Sequence, residues 1–196
     1  MRRQGYQRAL HKPVGGYMQL HHHIAQVETL LEPWRQTLGC DYEAYRNHIY
    51  RLLHYAFYLA LPEEDARQKL IIAAVFHDLG IWSEETLDYI PPSVELARHY
   101  LREQGQWHWG NEVALMIEMH HKLTAYRGPH APLVELFRLC DRIDLSWSLI
   151  RSGVSASYIA RVKQAFPNAG FHRRLCYFGW VYFKRHPFNP LPMFRW

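Results

Sequence analysis

His77-Asp78 follows the apolar run Leu70-Ile-Ile-Ala-Ala-Val-Phe76. An imidazole beside a carboxylate at the end of a buried helix is costly unless something pairs with both. A divalent metal ion is one answer, since it takes a His nitrogen and an Asp oxygen together and neutralises the carboxylate. An ordinary helix C-terminus is another, with His77 on orphan carbonyls and Asp78 in water, and it suffices for the dipeptide alone. Three further elements favour the metal. His48 stands one helical turn before Leu52 and two before Ala56. Asp141 has Phe137 and Leu145 one turn to either side, a largely apolar face on which an unpaired acid is expensive. His120-His121 closes a stretch in which Val113, Met116 and Ile117 keep helical spacing.

Two His and two Asp leave coordination positions open, and a metal so held acidifies a bound water and polarises a phosphoryl oxygen. Charge developing on phosphoryl oxygens needs cations nearby. Lys122 and Arg142 are the candidates, because each directly follows a candidate ligand; a solvated or salt-bridged surface role fits each equally well. Asp144, one turn beyond Asp141 along the helix, can orient a ligand or hold a local Arg. Glu84 and Glu85 could move protons but read as exposed loop acids.

The elements that must position these groups all read as helices. Gln19 to Leu38 forms the first, stopped by Gly39. Asp41 caps a second that runs to Leu61, with Glu43 in its first turn. Pro62 opens a third, followed by Glu63, Glu64 and Asp65 at the positive end of its dipole, and it ends near Gly80. Pro91-Pro92 opens a fourth to about Gln104. The fifth covers Asn111 to Lys122, the sixth Pro132 to Arg151, the seventh Ser155 to Phe166 and the eighth Phe171 to Arg185. No strand alternation persists between turn signals. The expected fold is all-α, a single irregular helical bundle with a proline-rich C-terminal tail (Pro187, Pro190, Pro192) on its surface. Residues 1–40 are expected to form an N-terminal arm and helix, 41–151 a metal-binding core, and 152–196 C-terminal helices and tail packed on that core. Residues 1–17, with Pro13 and Gly15-Gly16, read as a loose arm.

The order of a His on one helix, a His-Asp pair on the next and a distant Asp on a later one resembles the HD-domain superfamily of metal-dependent phosphohydrolases. The contexts match as well: Asn47-His48-x-x-Arg51, His77-Asp-Leu-Gly80 and Asp141-Arg-Ile-Asp144. The resemblance covers roughly residues 41–151. It implies an HD-type bundle in which His48, His77, Asp78 and Asp141 bind a divalent metal ion (Mn, Fe, Co, Zn, Ni or Mg). Asp78 would act beside a metal-activated water that attacks a nucleotide or small phosphoester. Members with two metals add histidines before the final Asp. His120-His121 occupies the place of a His-His pair in the HD-GYP branch, but Lys122 stands where that branch has Glu. Ser93 stands where a further His usually opens a helix, and His99 would face elsewhere. One metal is therefore expected, with His120 and His121 the candidates for a second site, and cyclic-di-GMP hydrolysis is not expected. Other proteins of this fold are di-iron oxygenases, lyases or hydratases, and a non-catalytic metal-binding protein is a third class.

Composition narrows the rest. The chain is 48% hydrophobic and 21% charged, enough to build a core. Cys40, Cys140 and Cys176 form no CxxC pair, which argues against a disulfide framework and leads us to expect a cytoplasmic protein. A net charge of +5 suits an anionic substrate without marking a nucleic-acid surface, because the basic clusters are short. The expected partner is a small, nucleotide-like phosphorylated substrate, with no nucleic acid and no membrane. His21-His22-His23 reads as solvent-exposed. Trp107, Trp109 and Trp147 read as core aromatics, and Leu175 to Phe183 as buried against the bundle rather than lying on a membrane.

Overall fold

The computed structural model describes residues 19–189 and 191–194, and every regular element among them is a helix. The expected arm at residues 1–17 lies outside the described residues. Ala25–Leu31 (α1) and Arg35–Leu38 (α2) are separated by a 3₁₀ turn, Glu32–Trp34. The single helix expected from Gln19 is thus shorter and broken. Pro33 explains the break, because it lacks the N–H an α-helix needs there and its ring crowds the preceding turn.

Tyr42–Leu59 (α3) is the axis of the bundle, and Glu64–Phe76 (α4) packs beside it. From Leu70 to Phe76 no position of α4 is polar, so the helix has no face to offer water. It is accordingly surrounded by α1, α3, Ile90–Glu103 (α6), Gly110–Met119 (α7) and Ala131–Leu145 (α8). The short helix Gly80–Ser83 (α5) links α4 to α6. Ile49, Leu52 and Leu53 of α3 are fully buried, as are Leu70, Ile72 and Val75 of α4. Each such side chain stabilises the fold by roughly 1.5–3 kcal/mol before entropy is charged against it. Ala156–Ala165 (α9) and Phe171–Arg185 (α10) complete the helices among the described residues.

Several expected boundaries move. Asp41 occupies the N-cap position of α3 as expected, but its side chain makes no capping hydrogen bond; its Oδ2 accepts from Trp82 Nε1 at 3.0 Å and Arg174 Nε at 2.7 Å, tying α3, α5 and α10 together. Pro62 lies outside α4, whose N-cap is Glu63. α8 stops at Leu145 instead of Arg151, because Trp147 and Ser148 adopt left-handed φ values of 55° and 65° that no right-handed helix accommodates. Ser155 does cap α9, accepting from Tyr158 N. No helix among the described residues is long and apolar enough to cross a membrane.

Candidate metal centre

His48 projects from the middle of α3, His77 and Asp78 from the turn that ends α4, and Asp141 from the last third of α8. All four are buried. The Nε2 atoms of His48 and His77 approach to 3.1 Å. Asp141 Oδ1 lies 3.4 Å from the first and 3.7 Å from the second. Asp78 Oδ2 lies 3.3 Å from His77 Nε2 and 3.9 Å from His48 Nε2.

The outward ring nitrogens set the inward ones. His77 Nδ1 sits 2.9 Å from the Ala74 carbonyl, which can only accept, so that nitrogen carries a proton. His48 Nδ1 donates to Asp144 Oδ2 at 2.7 Å for the same reason. In the neutral rings both Nε2 atoms therefore present lone pairs, the tautomer that metal-binding histidines adopt. A proton shared by the two rings can satisfy that pair. Nothing satisfies the acids: both Asp141 oxygens and Asp78 Oδ1 are buried and accept no hydrogen bond. An orphaned buried carboxylate is among the most expensive features a fold can hold. A divalent cation among these atoms removes that cost, so this donor set fits one.

Titration behaviour reports the same demand for positive charge. Burial would push the His77 imidazolium's pKa down, yet the charges of the neighbouring Asp78 and Asp141 carboxylates lift it to about 10. His48 is raised too, with Asp141 and Asp144 overcoming burial. Burial opposes ionisation of Asp78 and Asp141, and the neighbouring histidines nevertheless hold both carboxyls below the usual range. Whether protons or a metal supply it, the cluster requires positive charge at its centre.

Asp144 does both things weighed for it. One face orients His48; the other receives Arg51 Nε at 2.6 Å and Nη2 at 2.7 Å. Arg51 also donates to the Phe166 and Pro167 carbonyls at 3.1 Å. Its supporting role was not read from the sequence. The signal was an Arg on an apolar helix three residues after His48.

His120 joins the cluster from the end of α7. Its Nε2 lies 3.4 Å from Asp78 Oδ1, while its Nδ1 is 2.6 Å from the Ile117 carbonyl. Asp78 thus faces His48 and His77 with one oxygen and His120 with the other. Ligand atoms of His48, His77 and Asp78 lie within 4.8 Å of one another, and so do those of Asp78, His120 and His121. His121 is shared, its Nε2 standing 2.6 Å from the Tyr89 hydroxyl. Burial, then repulsion from His120, hold His121 neutral with a pKa of about 3. Tyr89 carries no local signal that places it here.

The family model for the HD domain matches residues 45–146, more than half of the chain. The chain belongs to the HD-domain family. The matched span of this HD protein contains every residue of the cluster and ends before α9 and α10. No curated protein and no solved structure matches it.

Beside the cluster a cavity of about 240 Å³ is lined by His120, His121, Asp141, Lys122 and Arg142, with Leu145, Ile150 and Phe194 among its apolar walls. Both candidate cations therefore line the same cavity as His120, His121 and Asp141. Glu84, Glu85 and the His21–His23 triplet are exposed as expected. His99 faces away and pairs with Glu103 at 3.2 Å. Ser93 is no ligand; its hydroxyl accepts from Gly80 N at 3.0 Å. Trp109 is a core residue, but Trp107 and Trp147 are exposed.

Proposed function

We propose that this HD-domain protein is a metal-dependent phosphohydrolase acting on a small phosphoester, nucleotides included. The observation that supports this most is the shared wall of cluster and cavity. Asp141, His120 and His121 line the same space as Lys122 and Arg142. His48, His77, Asp78 and Asp141 would hold one divalent ion, and Asp78, His120 and His121 offer a place for a second. A metal there supplies an acidified water and a polarised phosphoryl oxygen.

The chain's own groups do the rest. Lys122 and Arg142 draw the phosphate into the cavity and stabilise negative charge on its oxygens. Asp78, whose Oδ1 is buried and accepts no hydrogen bond, would take a proton from the attacking water. Asp144 and Arg51 hold the His48 ring still, so that the cluster pays no reorganisation as charge develops. The apolar walls at Leu145, Ile150 and Phe194 lower the local dielectric and strengthen both cations.

Turnover on a panel of phosphomonoesters and nucleotides, with Mn, Fe, Co, Zn, Ni and Mg each supplied in turn, tests the reading. Phosphate release that His77→Ala and Asp78→Ala both abolish, and whose KM rises in Arg142→Ala, is the expected result. Metal-loaded protein that releases no phosphate from any of them defeats it. Iron held at two equivalents with O2-dependent turnover would select oxygenase chemistry instead.

A further inference from the structure

Every one of the 18 Asp and Glu residues lies at or before Asp144. The chain beyond it carries eight Lys and Arg and no acid at all, so a net charge of +5 conceals a strongly basic C-terminal end. Such an asymmetry marks an anionic partner. Apolar exposure is concentrated in the same stretch. Among the described residues, all but three of the large hydrophobic side chains left exposed lie at or beyond Trp147; the exceptions are Leu61, Trp107 and Leu123.

α10 has two apolar faces. Phe171, Leu175, Phe178 and Tyr182, at spacings of four, three and four, rest on the core. The opposite stripe, Arg173, Tyr177, Trp180 and Lys184, keeps the same spacing and faces outward, and Phe183 joins it. Tyr177 is 54% exposed, Trp180 57% and Phe183 42%. A helix apolar on both sides requires a second cover. The expectation of no membrane partner assumed that Leu175 to Phe183 would be buried on the bundle, and four of these nine residues, Cys176, Tyr177, Trp180 and Phe183, are exposed.

We propose that the outer face of α10, with the adjoining loop at residues 147–150 and the tail at Phe188 and Leu191, docks on an anionic lipid surface. Aromatic rings between basic side chains are the composition that settles at the headgroup level. Lys184 Nζ stands 5.0 Å from the Trp180 ring, leaving its charge beside the apolar body. Trp147 stacks on His172 at 4.2 Å, which sets the loop beside the first turn of α10. Leu149 in that loop is 86% exposed and Phe188 is fully exposed. Aliphatic and phenyl groups held out this far gain from hydrocarbon, and an aliphatic side chain gains nothing from a phosphodiester backbone or a stacked base. A second copy of the chain is disfavoured by charge, since it would bring two acid-free basic faces together. Ile150 and Phe194 also wall the cavity at the metal centre, so docking sets that cavity close to the lipid.

Flotation of the full-length, metal-loaded protein with vesicles of phosphatidylcholine, alone or mixed with phosphatidylserine, tests the docking. Wild type should float only with the mixed vesicles and be released by salt. Arg173→Glu/Lys184→Glu should weaken binding at least about tenfold, each basic side chain near such a surface supplying roughly a five-fold factor. Tyr177→Ser/Trp180→Ser/Phe183→Ser should weaken it comparably, with helical content and melting temperature unchanged because all three side chains are exposed. Absence of flotation, equal binding to neutral vesicles, or full affinity in the triple serine variant overturns the proposal. So does tight binding of a single-stranded RNA oligonucleotide that both variants lose, or a lipid-free dimer in sedimentation that the serine variant dissolves.

Discussion

At the residue scale, Asp141 and Asp144 lie one turn apart on α8 and are both buried, yet they answer to different partners. Asp141 accepts no hydrogen bond, whereas Asp144 neutralises the buried Arg51 and holds His48. Substitution by Asn separates the two. Asp141→Asn sacrifices no hydrogen bond, so the metal-free protein should be no less stable than metal-free wild type. Its gain in melting temperature on adding metal should shrink sharply, because that gain follows mass action on the metal's affinity. Asp144→Asn strands the Arg51 charge and should cost roughly 3–5 kcal/mol with or without metal. Thermal melts of both variants with chelator and with excess metal provide the measurement. Equal metal-induced gains in wild type and Asp141→Asn would remove Asp141 from the site. His48, His77, Asp78 and Asp141 were legible as a candidate set because polar groups recur on apolar helical stretches at positions that demand a partner. Arg51 and Tyr89 were not, since what they touch lies far away in sequence.

Among the elements, the turn from α4 into α5 aims His77 and Asp78, and it is held by a close approach of backbones. Gly80 N donates to Ser93 Oγ, and a Cβ at Gly80 would stand 2.5 Å from the Tyr89 carbonyl oxygen and 2.9 Å from that hydroxyl. Backbone cannot yield as a flexible side chain can. Gly80→Ala should therefore destabilise the protein by about 1–3 kcal/mol and weaken metal binding, as α6 is pushed off the turn. Urea midpoints and a metal titration check it; a midpoint within error of wild type would show that α6 gives way freely. Helix existence was legible in α3, α4 and α6 from their Asp, Glu and Pro start signals and in α7 and α8 from helical spacing of apolar residues. Their ends were less so. Pro33 broke the first helix where no gap in apolar spacing announced it, and two left-handed residues without glycine, Trp147 and Ser148, ended α8 early.

Across the whole molecule, His54 links the N-terminal segment to the helices that close the bundle. Its Nδ1 donates to the Tyr50 carbonyl at 2.7 Å and its Nε2 accepts from His21 N at 3.0 Å, beside the Phe166 ring. Burial, with the nearby His21 next, lowers its pKa to about 4. Against an unfolded value of about 6.5, the unfolded chain binds the extra proton first. Stability from this site is thus complete above pH ~6.5 and is lost as pH falls toward 4, by up to roughly 3 kcal/mol. His54→Gln, which retains a donor and an acceptor, should flatten the stability profile in that window when urea midpoints are compared from pH 4 to 7. A profile parallel to wild type would assign the acid sensitivity to other groups.

The all-α fold and the HD resemblance were legible in the amino-acid sequence, together with His48, His77, Asp78 and Asp141 as candidate ligands. Helical periodicity and the expense of burying charge act within a few residues, so both are written locally. Long-range packing settled that Asp78 faces two histidine groups, that Arg51 of α3 and no arginine of α8 pairs with Asp144, and that α10 keeps an aromatic face outward. Each of those depends on which surfaces meet across the bundle. An apolar residue's type states that it gains by leaving water, and only the packing of distant elements decides which such residues find a neighbour to cover them.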